Sequence, residues 1–271
     1  MKKYSVLMPV YCKDNVEYLK LAIDSMINQT LKPDEIVIVK DGKIPSLLEE
    51  VINDAKKKFS KIVEVQLKTN VGLGLALNEG LKVCKNELVA RMDADDISLP
   101  ERCEKQVLMF EKNKKLDIVG CPVLEFSDNY NNIIGRRSVP LTNEEIYKYS
   151  KKRDAFNHPT VMYKKSKVLN CGGYGDYRKN QDTDLWIKML SSGAKTMNID
   201  EDLFLFRFDK NTYKKRKNWL NTKTLIKIRW NAYKIGFSSF PDFLIISIMQ
   251  LAIFVLPVSF QKFVYKKILR R

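Results

Sequence analysis

The sequence predicts an α/β protein with a mostly parallel, nucleotide-binding sheet flanked by helices and followed by a C-terminal helical tail. Three observations carry that expectation. Apolar runs of strand length alternate with helically patterned segments from Tyr4 to Met92, each run stops at a polar or turn residue, and positive charge gathers after residue 209.

The chain opens with Tyr4-Ser5-Val6-Leu7-Met8-Pro9-Val10-Tyr11, a β-rich run closed by a proline turn. Asn15 to Thr30 reads as a helix, because Leu19, Ile23, Met26 and Ile27 share one face and Asn15 is a natural N-cap. Ile36-Val37-Ile38-Val39 is continuously apolar, the pattern of a parallel strand covered on both faces, and it stops at Lys40-Asp41-Gly42. Pro45 to Phe59 is expected helical, Ile62 to Leu67 strand-like, Gly74 to Cys84 helical, and Glu87 to Met92 the fourth strand. Gly72-x-Gly74 lacks a third glycine at dinucleotide spacing and reads as a turn into a helix. A further helix is expected near Leu99-Pro100-Glu101-Arg102. Ligands of such sheets bind beyond the carboxyl ends of the strands, where Pro9-Val10-Tyr11, Asp41-Gly42, Asn70 and Asp93-Ala94-Asp95 all fall.

Asp93-Ala94-Asp95, with Asp96 beside it, puts carboxylates at a strand end, which is costly unless they are solvated or paired with a cation. Mg²⁺ and Mn²⁺ favour oxygen ligands, and Mg²⁺ typically takes one or two carboxylates and completes its shell with water and substrate phosphates. An Asp pair alone is equally an Asx turn or a cap. Its position on a rim of polar residues turns the reading toward a metal-dependent nucleotide site.

The ordered set Ser5-Val6-Leu7-Met8-Pro9-Val10-Tyr11, Gln29-Thr30, Val39-Lys40-Asp41-Gly42, Asn70-Val71-Gly72-Leu73-Gly74, Ala76-Leu77-Asn78-Glu79-Gly80 and Ala90-Arg91-Met92-Asp93-Ala94-Asp95-Asp96 resembles family 2 glycosyltransferases of the GT-A fold, of the bacterial surface-polysaccharide kind. His158-Pro159-Thr160-Val161-Met162 and Asp182-Thr183-Asp184-Leu185-Trp186 resemble the acceptor-side motifs of the same family. The match covers residues 4 to 210. It implies an inverting transferase that moves a sugar from a nucleoside-diphosphate sugar, a UDP-sugar first among them, to a glycan acceptor. It also implies a nucleotide-sugar half at residues 1–125, an acceptor half at 126–210 and a separate tail at 211–271.

The resemblance also assigns roles. Pro9 and Tyr11 hold the base, Asp41 accepts a hydrogen bond from it, and Asn70 and Arg91 complete the nucleotide-sugar site. Asp93 faces ribose and metal, while Asp95 ligates a Mn²⁺ or Mg²⁺ bridging the diphosphate. Lys40 stands where a first Asp is usual, so a cation there bears on the choice of base. Asp182 is the general base, and His158 a candidate acceptor contact. Gln181 stands where Glu is usual, so no carboxylate at that position tunes Asp182, and an ordinary pKa of about 4 is expected.

His158 is the sole histidine, which excludes a His-rich metal site. Five scattered cysteines without Cys-x-x-Cys spacing read as reduced thiols, and no apolar leader precedes Pro9, so a cytoplasmic protein is expected. Of the net charge of +16, nearly all lies in Lys210 to Arg271, where 14 Lys and Arg face one acid, Asp242. That tail holds Lys214-Lys215-Arg216-Lys217, Trp219, Trp230 and the apolar run Phe243 to Leu256, followed by Pro257, Lys262, Lys266, Lys267, Arg270 and Arg271. The run is short of the ~20 residues of a bilayer span. It suits amphipathic helices lying on an anionic membrane at its cytoplasmic face, peripheral or monotopic, with a helix packed on the core as the alternative. Nucleic acid also attracts basic tails but needs no apolar run, and is not expected as a partner. A metal-dependent nucleotidyltransferase and an inactive membrane-binding module are the rival readings, separated by which bond of a sugar nucleotide breaks and by whether donor binds at all.

Overall fold

The computed structural model describes residues 1–127, 129–208 and 218–256. Lys210, Lys214 to Lys217 and the run from Pro257 to Arg271 lie outside the described residues.

The first half alternates as the hydrophobic pattern requires: β1 (Tyr4–Val10), α1 (Val16–Ile27), β2 (Glu35–Lys40), α2 (Ser46–Lys58), β3 (Ile62–Gln66), α3 (Leu73–Val83) and β4 (Leu88–Arg91). Asn15 caps α1, its side chain accepting from the amide of Tyr18 at 3.1 Å. The expected helix near Leu99 begins later, at α4 (Arg102–Lys112), because Ile97–Ser98 first forms a short strand, β5.

β6 (Ile118–Gly120), β7 (Val123–Phe126), β8 (Ile133–Arg137), α5 (Asn143–Ser150), a 3-10 turn at His158–Thr160, β9 (Met162–Lys164) and α6 (Lys165–Asn170) follow. The catalytic half closes with α7 (Gln181–Ser191), β10 (Thr196–Asn198) and β11 (Phe204–Arg207), and the tail supplies α8 (Trp219–Lys234) and α9 (Phe240–Val255).

Seven strands make the main sheet in the order β10-β6-β9-β4-β1-β2-β3. All are parallel except β9, which pairs antiparallel with both β4 and β6. A smaller sheet, β5-β11-β7-β8, stands beside it and brings Phe206 and Arg207 toward the Asp93 turn.

Side-chain alternation along β1 and β2 builds two cores. Val6, Met8, Ile36 and Ile38 meet Leu19, Ile23, Ile52 and Phe110 on one face. Leu7, Val37 and Val39 meet Leu77, Leu81, Leu185 and Trp186 on the other. The second core also contains Ile228 and Ala232 of α8, so the tail packs on the same layer as α3 and α7. No described helix is long and apolar enough to cross a membrane. On α9, Ile246, Ser247 and Gln250 are buried, while Leu244, Ile245, Ile248, Met249, Leu251 and Val255 face solvent.

Candidate active site

The carboxyl ends of β1, β2 and β4 open into a cleft of about 520 Å³. Pro9, Tyr11, Asp41, Asn70, Asp93 and Asp95 all line it, so the strand-end residues marked in the sequence converge. Asp14, Phe206 and the segment Arg178 to Gln181 complete the wall.

Asp41 organises the base-side wall. One carboxylate oxygen accepts from the amide of Val71 at 2.7 Å, and the other from Gly72 N at 3.0 Å and Asn70 Nδ2 at 2.9 Å. A carboxylate offers about four acceptor positions, so one remains for an incoming N–H. Gly72 sits at φ +96°, a left-handed conformation that leaves its missing Cβ under the Arg178 side chain. Arg178 in turn donates to Asn70 Oδ1 at 2.8 Å, tying the acceptor-side loop to the nucleotide side.

The acidic turn follows β4. Asp93, Asp95 and Asp96 bring carboxylate oxygens within 4.8 Å of one another. Arg91, fully buried at the strand end, meets Asp93 with Nη2 to Oδ1 at 2.5 Å. Asp96 accepts from the Arg207 amide at 2.8 Å, but its buried Oδ2 has no hydrogen-bond partner among the described residues. Arg207 Nε donates to the Asp95 carbonyl at 2.8 Å, and its guanidinium lies over the Tyr18 ring. Desolvation and then the Asp93 charge push Asp95 up to about 6, and Asp96 is raised well above the usual carboxylate range by burial and by Asp95. Crowded, partly unpartnered carboxylate oxygens form a donor set that suits a hard divalent cation.

Asp182 is the second residue of α7, directly after Gln181 of the cleft lining. Burial, and then the charge of Asp154, push its carboxyl up to about 7. This corrects the sequence expectation of an ordinary pKa. The neighbouring carboxylate is present, but it arrives from the loop after α5 rather than from position 181. Thr183 Oγ1 holds Asp154 by donating to Oδ2 at 2.9 Å, and the buried Arg229 of α8 faces it at 3.6 Å. Asn180, just ahead of Asp182, is the single non-glycine residue with positive φ among the described residues, at 58°.

A model of the family described as glycosyl transferase family 2 matches residues 5–177. The chain belongs to that family. It is 39% identical over 269 residues to an Escherichia coli UDP-Gal:alpha-D-GlcNAc-diphosphoundecaprenol beta-1,3-galactosyltransferase, covering 99% of this chain and 97% of that one. It is 33% identical over 267 residues to the amylovoran biosynthesis glycosyltransferase AmsE of Erwinia amylovora, covering 97% and 98%. Among solved structures, a Pyrobaculum calidifontis mannosyltransferase in complex with GDP-Man and Mn²⁺ superposes with TM-score 0.66 at 15% identity, covering 93% of this chain and 70% of that one. Staphylococcus aureus TarS 1-349 in complex with UDP-GlcNAc gives the same TM-score at 17% identity, covering 98% and 73%. The fold is therefore the GT-A architecture expected from the motifs.

Three expectations for the transferase change. Lys40, expected to act beside the base, does not line the cleft, and its ammonium pairs with Glu49 at 3.0 Å and Glu64 at 2.8 Å. His158, expected at the acceptor site, is buried, with Nε2 2.9 Å from the Tyr174 hydroxyl and its ring near Trp186. Burial and the Arg91 charge hold it well below its ordinary pKa, so it is a neutral packing residue at neutral pH. Arg91 likewise lies under the cleft rather than along its lining, as a counter-ion to the acidic turn.

Asp14, Arg178 and Asp154 belong to the site but carry no motif signal. Asp14 Oδ2 accepts from the Tyr11 amide at 2.8 Å and fixes the turn after β1. The bond runs three residues back along the chain, opposite in direction to the forward bond of an Asx turn, so no turn signature in the sequence points to it.

Proposed function

We propose that the transferase moves a sugar from a UDP-sugar to a hydroxyl of a lipid-diphosphate-linked glycan, with inversion, at a membrane surface. The observation that carries this reading is the convergence of Asp41, Asp93 and Asp95 on one cleft, with Asp182 next in the chain to Gln181 of its lining. Asp41 has one acceptor position left for a base N–H. Asp95, with Asp93, would hold Mn²⁺ or Mg²⁺, which when bound supplies Lewis-acid stabilisation of the departing diphosphate.

Asp182 takes the proton of the acceptor hydroxyl while that oxygen forms a bond to the anomeric carbon. The bond from the anomeric carbon to the diphosphate oxygen breaks on the opposite side, and UDP leaves with the bonding pair. A base with a pKa near 7 is well matched to neutral pH, because a large fraction is ionised and it still binds a proton firmly. A lipid-linked acceptor is supported by the near full-length similarity to the E. coli galactosyltransferase. Membrane contact is supported by the exposed apolar residues of α9 and by the basic tail sequence.

The test is a product assay with a panel of nucleotide sugars or, in parallel, nucleoside triphosphates with sugar 1-phosphates, a polyprenyl-diphosphate-linked sugar, and Mn²⁺, Mg²⁺ or chelator. Release of nucleoside diphosphate together with a lengthened lipid-linked glycan is expected. Pyrophosphate release from a nucleoside triphosphate would overturn the reading in favour of nucleotidyl transfer.

A further inference from the structure

A second groove, about 820 Å³ and larger than the cleft, lies between the C-terminal end of α5 and the start of α9. Lys148, Lys151, Lys152 and Arg153 line it, against two acids, Glu145 and Asp242. Both acids are already engaged. Glu145 closes the α5 capping box, accepting from the amides of Leu141 and Thr142 at 3.2 and 3.0 Å. Asp242 closes the α9 capping box with Ser239 and meets Lys152 at 3.5 Å. Lys148 and Arg153 pair with no acid among the described residues. The groove therefore concentrates positive charge that the fold does not neutralise.

Its two ends lead to different chemistry. Arg153 is followed directly by Asp154, the carboxylate held by Thr183 next to Asp182. In the other direction Asp242 is followed on the same helix face by Ile245 and Met249, three and seven residues on, each 47% exposed. The lining of the cationic groove thus includes both the chain neighbour of Asp154 and the first turn of the helix that carries the exposed apolar stripe. That order of charge and hydrocarbon is the order of groups in an amphiphile with a sugar, a diphosphate and a long alkyl chain.

We propose that this groove binds the diphosphate of the lipid-linked acceptor, with the hydrocarbon along the Ile245–Met249 stripe and the sugar directed toward Asp182. The proposal rests on the reading of the chain as a transferase with a lipid-linked acceptor and adds where the lipid phosphate is recognised. Each unpaired cation can give a charge-assisted hydrogen bond to a phosphate oxygen, and two such bonds select a diphosphate over a neutral headgroup.

The test variant is Lys148→Gln with Arg153→Gln, since neither substitution leaves an acid without its partner. Full-length protein is sedimented with phosphatidylcholine vesicles doped with a long-chain polyprenyl diphosphate, and with vesicles carrying the same charge as phosphatidylserine. Loss of two charge-assisted contacts should weaken binding to the diphosphate vesicles on the order of tenfold or more. Binding to the phosphatidylserine vesicles should change far less. Equal losses on both vesicles would overturn the proposal in favour of a general anionic surface, and no loss on either would overturn it outright. In transfer assays the variant should raise the KM for the lipid diphosphate acceptor while kcat and donor KM hold, and a phosphate-free alkyl glycoside acceptor should be unaffected. The vesicle arm needs no turnover, so its failure is distinct from failure of the glycosyl-transfer reading.

Discussion

The Nδ2 of Asn180 donates to both the main-chain carbonyl and the side-chain oxygen of Asn221, at 3.2 and 3.1 Å, and so joins the turn before Asp182 to the first tail helix. The same helix inserts Arg229 opposite Asp154, with Nη1 donating to the Ser150 carbonyl at 2.7 Å. The acceptor side of the cleft is thus supported by residues from beyond position 210.

Truncation after residue 210 should therefore lower the thermal midpoint and abolish transfer, although motif content alone assigns catalysis to residues 1–210. Burying a large aliphatic side chain such as Ile228 contributes about 1.5–3 kcal/mol, and the cut also uncovers the α7 surface that α8 occupies. Scanning calorimetry and a sugar-transfer assay of the truncated chain check both halves. A truncated protein that melts and transfers sugar like the full chain would mean that residues 1–210 are self-sufficient.

The plot of kcat/KM against pH should have an acid limb near 7, set by Asp182. Asp154→Asn removes the charge that helps raise this pKa, so the limb should move to lower pH. An unmoved limb would detach Asp182 from the role of base. The same elevation has a sign for stability. A carboxyl held above its unfolded value of 3.8 binds more protons in the native state, so its effect grows less favourable from about pH 4 to 7. Asp182→Asn should consequently raise the thermal midpoint more at pH 8 than at pH 4, as calorimetry at the two values would reveal.

Asp95→Asn should cut metal-dependent turnover on the order of 10²–10³-fold, the scale for losing a group that stabilises developing charge. Its side chain supports no core contact, so the far-UV spectrum and melting should change little. Turnover at the wild-type rate would remove Asp95 from the metal site.

Gly80→Ala should destabilise the protein by about 1–3 kcal/mol through overpacking, despite the ~1 kcal/mol that alanine gains over glycine in a helix. The added methyl would lie well inside contact distance of Leu7 Cδ1 and Val39 Cγ2, where α3 crosses the sheet. Urea unfolding with an unchanged m-value is the measurement, and a more stable variant would contradict the close packing.

Much of this was legible in the sequence, and the reasons are local. Strand pattern, helix face and the Asn15 cap each depend on residues within a few positions, and β1 to β4 with α1 to α3 fall where those patterns put them. The polar residues of the rim were legible because a parallel sheet gathers its strand ends on one side. What was illegible depends on distant pairing. β9 enters antiparallel between β4 and β6 with only three residues, too few for a period to register. Asp154 comes from a polar loop without a motif, and its effect on Asp182 exists only once α5 and α7 are packed. Lys40 misled because residue identity does not say where a long side chain points.

That side chain has a further consequence. Among the described residues β3 ends the main sheet, and its outer backbone groups have no neighbouring strand there. Glu64 on this strand gathers Lys40, Lys56 and, through Lys40, Glu49, so a knot of four charges lies between the border strand and α2. Charges pointing inward at a border are tolerable for a single chain and costly to bury beneath a docking strand from another copy. An apolar pair at positions 40 and 64 would preserve the sheet while removing this guard, and the resulting hazard would be β-type aggregation in concentrated protein rather than a lost activity.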